Sequence, residues 1–124
     1  MKNTKQLLLL IIVLFAACKK NNTGGNVTVD IATAHHGKPI PYTKVYIKYG
    51  AKEFPGMQAD AYNASQITDA SGKVTFTNLR YGDYFFFGEG YDTAIQAMVR
   101  GGIKLTVPRK QRNNNFTMDL PITE

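Results

Sequence analysis

Two adjacent histidines are the first residues in this sequence whose type suits chemistry. His35 and His36 could ligate a metal ion through their ring nitrogens. However, adjacent residues in an extended chain point in opposite directions, and the sequence contains only 2 histidines. We therefore expect loop histidines without function, no metal site and no cofactor.

The acidic residues do not add a recognisable catalytic set. Asp83 and Asp92 stand alone in glycine-rich stretches, where Asp is favoured because its side chain supports turn geometry. Neither a Ser-His-Asp arrangement nor a pair of carboxylates can be argued from the spacing. The sequence therefore predicts that the protein is not an enzyme. The triplet Asp92-Thr93-Ala94 matches a short acceptor pattern for O-glycosylation, a match that chance explains readily.

The single cysteine, Cys18, has the clearest covalent chemistry. A basic start and an apolar run over residues 7–15 precede Ala16-Ala17-Cys18. This run is too short to cross a bilayer as a helix, which needs about 20 apolar residues. Such a segment, followed by small residues, is typical of a secretory signal. It resembles a bacterial lipoprotein signal, which implies cleavage before Cys18 and acylation of its sulfur by palmitate-like chains. The alternative is an ordinary signal peptide with an incidental cysteine.

The resemblance to a lipoprotein implies a place in the cell. We expect a lipid-anchored protein of the cell envelope, on the outer rather than the inner membrane and facing the periplasm. The formal net charge is +6, but the basic residues are scattered, and we expect no nucleic-acid partner. The predicted organisation is a signal peptide over residues 1–17, the lipidated cysteine with a flexible polar tether over residues 18–26, and one folded domain over residues 27–124.

Aromatic side chains give a candidate binding surface. In the run Tyr84-Phe85-Phe86-Phe87, large rings alternate between the two faces of a strand. An exposed strip made of Tyr42, Tyr46, Phe85 and Phe87 could stack on sugar rings or dock a partner protein. The alternative, which we favour, is that residues 50–66 fold over that face and make it a second core surface.

Period-two alternation of apolar and polar residues predicts the strands that hold these sites. Asp69-Ala70-Ser71-Gly72 has the composition of a reverse turn before one of them. Gly101-Gly102 is interpreted as the turn of a hairpin between two short strands. The pattern predicts an all-β fold, a seven- to eight-stranded antiparallel Greek-key sandwich. The predicted strands lie within residues 27–31, 44–49, 61–67, 73–79, 83–87, 95–100, 103–107 and 116–120.

Two motifs carry a family resemblance. The stretches G-K-P-I-P-Y-T-K-V-Y-I and T-D-A-S-G-K-V-T-F-T-N-L-R-Y-G-D-Y resemble carboxypeptidase regulatory-like domains, which are transthyretin-like (prealbumin-like) sandwiches, and the related collagen-adhesin B-type repeats. The resemblance implies that fold, and it implies function weakly, because such domains are mostly spacers, stalks and docking modules. The matching residues are Gly37, Pro39, Ile40, Val45, Thr68, Asp69, Gly72, Val74, Phe76, Leu79, Gly82 and Tyr84.

These observations predict a lipid-anchored, non-catalytic binding or assembly module of the bacterial envelope. Its expected partners are the membrane, through the anchor, and an envelope protein or glycan. One alternative is a glycan-binding lipoprotein that uses Tyr42, Tyr46, Phe85 and Phe87. A more remote alternative is an envelope hydrolase with a site in residues 50–64, the longest irregular connection.

Overall fold

The computed structural model describes residues 23–109 and 114–124, which form two packed β-sheets. Cys18 and the predicted signal peptide lie outside the described residues. Within the described part of the chain, no helix has the length and apolar character needed to cross a membrane. The strands are β1 (Thr23–His35), β2 (Lys38–Pro39), β3 (Lys44–Tyr49), β4 (Ala64–Ile67), β5 (Lys73–Leu79), β6 (Gly82–Asp92), β7 (Ala97–Val107) and β8 (Asn115–Pro121).

The first sheet is built around β1, and the second has the order β4-β3-β6-β7. Strand β1 pairs antiparallel with β2 and with β5. All the pairings of the second sheet are antiparallel as well. The predicted β-sandwich is therefore confirmed. One pairing differs from the antiparallel expectation, because β8 runs parallel to β1.

The core lies between the two sheets and follows the alternation in the sequence. Ile31 of β1 lies opposite Val74 of β5 in one sheet, and Ile47 of β3 lies opposite Phe86 of β6 in the other. All four side chains are buried. The rings of Phe76 and Phe86 meet across the core with centroids 5.4 Å apart. Each fully buried apolar side chain contributes about 1.5–3 kcal/mol to folding, so this interior stabilises the domain without cross-links.

The first strand begins earlier than the predicted domain boundary at residue 27. Strand β1 starts at Thr23, so residues 23–26 of the predicted tether are part of the sheet. Both Thr23 and Val27 align with Leu79 of β5, which marks an irregularity in the pairing. The folded domain therefore begins five residues after Cys18.

The predicted hairpin at Gly101-Gly102 is wrong, because β7 continues through both glycines. The chain turns instead before β7, within residues 93–96, where Gln96 has a φ of 52°. The glycines serve close packing. A Cβ atom on Gly101 would lie 2.0 Å from the carbonyl oxygen of Pro121, at the end of β8. Glycine at this position is therefore needed to let the final segment approach β7.

The final segment, residues 122–124, joins the two sheets. The Thr123 N–H donates to the Arg100 carbonyl at 2.8 Å, and the Arg100 N–H donates to the Thr123 carbonyl at 2.7 Å. The Ile122 N–H donates to the Ala34 carbonyl of β1 at 3.1 Å. These bonds place Glu124 beside the end of β1.

Candidate functional site

The outer face of the second sheet carries the predicted aromatic residues, but the chain covers two of them. Phe85 and Phe87 are only 9% and 3% exposed. They are covered by residues 50–63, which we call the lid. The Phe54 ring lies 5.7 Å from the Phe85 ring and 5.6 Å from the Phe87 ring, centroid to centroid. The Tyr62 ring stacks on the Phe87 ring at 5.8 Å. The interpretation that residues 50–66 fold over this face and make it a second core surface is confirmed for residues 50–63, whereas residues 64–66 belong to β4.

The four predicted ligand-binding residues therefore do not form one exposed strip. Tyr46 is half-buried, and its ring lies against the rings of Tyr62 and Phe87. Tyr42 is 68% exposed in the connection between β2 and β3. The ring contacts of the described residues do not join Tyr42 to the other three. The continuous open strip, which is the hypothesis that we did not favour, does not form, because the lid fills the space above Phe85 and Phe87.

Backbone and side-chain hydrogen bonds hold the lid to the sheet. The Asn63 N–H donates to the Ile47 carbonyl at 2.9 Å, and the Asn63 Oδ1 accepts from the Tyr49 N–H at 2.9 Å. Within the lid, the Tyr62 hydroxyl donates to the Gly56 carbonyl at 2.7 Å. Burial of Tyr62 raises the pKa of its phenol to about 12. The lid is therefore fixed over the rings of Phe85 and Phe87 by hydrogen bonds as well as by packing.

A polar cluster lies at the other end of β6, at residues for which the sequence predicts only loop and turn roles. His35 is 4% exposed, and its Nδ1 lies 2.8 Å from the Oδ2 of Asp92. The second Asp92 oxygen, Oδ1, accepts from the Ala94 N–H at 2.9 Å. The hydrogen bond from His35, followed by that from Ala94, lowers the pKa of the Asp92 carboxyl. Asp92 therefore has the predicted turn role, but the expectation that it stands alone is wrong.

His36 and Glu124 complete this cluster, and we call the four residues His35, His36, Asp92 and Glu124 the histidine corner. His36 and Gly37 form the two-residue loop between β1 and β2, with φ of 50° and 76°. Positive φ at both positions is the pattern of a type I′ turn. The left-handed backbone brings the His36 ring to 4.0 Å from the His35 ring, between centroids. The expectation that adjacent histidines point apart is therefore wrong, because it assumed an extended chain.

The corner contains a hydrogen-bonded His–Asp pair, formed by His35 and Asp92. A hydrogen-bonded His–Asp pair is two parts of a nucleophilic triad, but a nucleophile must also contact the imidazole. In the described residues, no hydroxyl or thiol is hydrogen-bonded to His35 Nε2, which lies 4.0 Å from Glu124 Oε1. The remote hydrolase alternative placed its site in residues 50–64, most of which form the lid.

The residues that sequence reasoning missed come from long-range contacts. His35 and Asp92 are 57 positions apart, and no local pattern joins them. One local signal was present, since a residue–glycine pair between two strand-like runs is typical of a two-residue hairpin loop. That signal predicts a left-handed His36, and with it two imidazoles on the same side.

Comparisons with known proteins show similarity in fold. The chain matches no protein family profile and no curated protein sequence. Among solved structures, it is similar to a candidate carbohydrate-binding protein from Pseudomonas aeruginosa, with a TM-score of 0.53 and 13% identity over 86% of this chain and 93% of that one. It is also similar to the dioxygenase domain of a dioxygenase–carbohydrate-binding fusion from a Streptomyces species, with a TM-score of 0.50 and 15% identity over 83% and 82% of the two chains.

A third similar structure is the major pilin subunit of Bacillus cereus. The TM-score is 0.54 and the identity 10%, over 81% of this chain but 30% of the pilin. The chain thus corresponds to less than a third of the pilin's length. At these identities the comparisons establish a β-sandwich fold shared with these proteins, and function has to be argued from the residues.

Proposed function

We propose that this protein is a lipid-anchored, non-catalytic binding or assembly module of the bacterial cell envelope, and that its sandwich is of the transthyretin-like type. Two features support the proposal. The first is the lipoprotein-like signal that ends at Cys18. The second is a β-sandwich shared with a pilin subunit and with a candidate carbohydrate-binding protein.

The observation that carries the binding role is the exposed apolar surface of the lid. Phe54 is 50% exposed although its ring rests on Phe85 and Phe87, and Met57 on the same segment is also exposed. Large aromatic side chains on a fixed support are favoured contact residues in interfaces, because little side-chain entropy is lost on binding. We infer that Phe54 and Met57 are the centre of a surface that contacts an envelope protein.

The anchor is tested separately from the binding surface. The full-length wild type and Cys18→Ser are expressed in a bacterium with lipoprotein processing and labelled with a palmitate analogue. The wild type should take up the label and partition into detergent with the membranes, whereas Cys18→Ser should do neither. Labelled Cys18→Ser, or an unlabelled wild type, contradicts the anchor. Protease treatment of intact cells then tests the proposed periplasmic side of the outer membrane, where the domain should be protected.

The binding surface is tested by cross-linking and co-purification from the protein's own membranes. Phe54→Ala should lose the co-purifying partner, whereas Tyr42→Ala should retain it. Tyr42 is the matched control because it is an exposed aromatic residue outside the lid. Equal recovery of the same partner with both variants contradicts the proposed surface, without bearing on the anchor.

Glycan binding is the alternative, and the half-exposed Phe54 ring is the observation that favours it. A ring supported from below can stack on a sugar face. Of the residues predicted for this role, Phe85 and Phe87 would support the Phe54 ring from below. Tyr46 lies against Tyr62 and Phe87, and Tyr42 lies outside this surface. Binding of isolated envelope polysaccharide that Phe54→Ala abolishes would support the glycan alternative in place of the protein partner.

A further inference from the structure

We propose that His35, His36 and Glu124 bind a divalent transition-metal ion of the zinc class, with Asp92 as the carboxylate that orients His35. This inference goes beyond the binding role of the lid and does not depend on the anchor. It rests on four observations: the fixed orientation of His35, the turn that carries His36, the placement of Glu124, and the chemistry of the donor set.

His35 has the orientation of a pre-arranged metal ligand. Its ring is buried, and its Nδ1 is 2.8 Å from Asp92 Oδ2, so the ring is held by packing and by a charged acceptor. A carboxylate acceptor places the proton on Nδ1 and leaves the Nε2 lone pair free. Nε2 is the atom that faces Glu124. At metal sites, a histidine commonly binds the ion through one ring nitrogen while a carboxylate accepts a hydrogen bond from the other, which fixes the orientation of the ring.

The hairpin loop supplies the second imidazole. His36 is exposed and has a φ of 50°, and its ring lies at 45° to that of His35. The donor atoms of His35, His36 and Glu124 lie within 4.8 Å of one another. Ligands at about 2.0–2.1 Å from a tetrahedral zinc are roughly 3.3 Å apart. To bind one ion, the donor atoms must therefore move towards one another by a distance on the order of 1 Å. The exposed side chains of His36 and Glu124 can make this movement.

The two residues before Glu124 are held in place by main-chain bonds, although the Glu124 side chain is exposed. Residue 123 pairs with Arg100 of β7, and residue 122 bonds to Ala34, next to His35. The third donor is thereby brought to the corner by main-chain bonds that do not involve the carboxylate. A groove of about 440 Å³ beside these residues leaves room for a water molecule or an external ligand at a fourth position.

The donor set points to the class of ion. Two imidazole nitrogens and one carboxylate oxygen suit Zn²⁺, Cu²⁺ or Ni²⁺, whereas Ca²⁺ and Mg²⁺ prefer sets made of oxygen ligands. Three protein ligands with an open position resemble catalytic rather than structural zinc sites. Such a site can also take a ligand from a partner, which suits a binding module.

The test uses the full-length chain, purified in detergent and freed of metal, and titrated calorimetrically with ZnCl₂. The wild type should bind one Zn²⁺ per chain, and Co²⁺ in its place should give visible absorption typical of low coordination. His36→Asn removes the imidazole but keeps the turn, because Asn tolerates positive φ. His36→Asn and Glu124→Gln should each weaken Zn²⁺ binding at least tenfold, and Asp92→Asn by about 10- to 100-fold.

The matched control is Lys38→Ala, an exposed residue of the same hairpin, which should bind Zn²⁺ as the wild type does. Because His36 and Glu124 are exposed, their variants should unfold at the wild-type denaturant concentration, which separates lost ligands from lost folding. The proposal is overturned if the wild type binds no Zn²⁺ at micromolar concentrations. It is also overturned if His36→Asn and Glu124→Gln bind as tightly as the wild type, or if Mg²⁺ competes equally.

Discussion

The aromatic face under the lid and the histidine corner are built in opposite ways. The lid packs its rings on the rings of β6 and is also hydrogen-bonded to β3, the neighbouring strand that it directly follows in sequence. The corner is polar, and its four residues come from three separate parts of the chain. Apolar packing is non-directional and tolerates small shifts, whereas a ligand set requires each donor at a given distance. We therefore expect that a mutation that disrupts the packing of the lid leaves the histidine corner unchanged, and the reverse.

The largest expected effect is on the lid side, from Phe87→Ala. Phe87 is nearly fully buried and contacts the rings of Tyr46, Phe54 and Tyr62. Truncation of a buried Phe costs about 3–5 kcal/mol, because a cavity is left. Urea unfolding should show this loss, and limited proteolysis should cut first within residues 50–63. Unchanged Zn²⁺ affinity in the folded variant would support the independence of the two regions, and a loss below 1 kcal/mol would show that the lid does not pack as described.

The opposite result is expected for Gly101→Ala, which should displace Glu124 from the histidine corner and leave the packing of the lid unchanged. The new methyl group would overlap the Pro121 carbonyl, so the final segment must move away from β7. Overpacking of this kind costs about 1–3 kcal/mol. We expect hydrogen exchange to rise at the Thr123 and Arg100 amides but not at Asn63. Wild-type protection at Thr123 would contradict the role assigned to Gly101.

A smaller effect is expected from Tyr62→Phe, which removes the hydrogen bond to Gly56. The loss of one such bond costs about 0.5–1.5 kcal/mol. The pKa of Tyr62 is raised by folding, so its contribution is fully present below its unfolded value of about 10 and is lost as pH rises towards 12. Denaturant midpoints between pH 8 and pH 11.5 should therefore fall more steeply for the wild type than for Tyr62→Phe. Parallel curves would contradict the burial of this hydroxyl.

The smallest effect comes from Asp69→Asn, which lies outside both regions and serves as a reference. Asp69 Oδ1 accepts from the Ser71 hydroxyl and from the Ser71 and Lys73 N–H groups. The Ser71 hydroxyl and then the Lys73 N–H lower the pKa of this carboxyl. A lowered pKa contributes stability above about pH 4, and that stability is lost as pH falls through the folded value. The difference in urea midpoint between wild type and Asp69→Asn should shrink between pH 6 and pH 2. A constant difference would mean that the carboxylate charge is not involved.

The sequence was informative where local patterns decide structure. Val74 and Phe76 alternate with polar residues, and both are buried as predicted. The turn at Asp69 also forms as its composition indicates. The pair Gly101-Gly102 was misread because glycine serves both turns and close approaches, and the composition is the same in either case. The approaching carbonyl belongs to Pro121, which the local sequence does not reveal.

The binding residues were harder to predict because they depend on pairing between distant strands. The covering of Phe87 could be predicted, because a segment as long as residues 50–66 has to pack against some part of the domain. The pairing of His35 with Asp92 needed the full length of β6, and the placement of Glu124 needed the parallel alignment of β8 with β1. Alternation specifies neither of these. The reversed direction of His36 depended on a backbone angle at one residue.

The early start of β1 has a consequence for the geometry at the membrane. If Cys18 carries the lipid, five Cα-to-Cα steps separate it from Thr23, where the sheet begins. A fully extended chain spans at most about 3.6 Å per residue, so the segment between Cys18 and Thr23 can span no more than roughly 18 Å. The sandwich would then sit almost against the headgroup layer, without room to sample the wider compartment. Any binding partner would have to reach it at the bilayer surface.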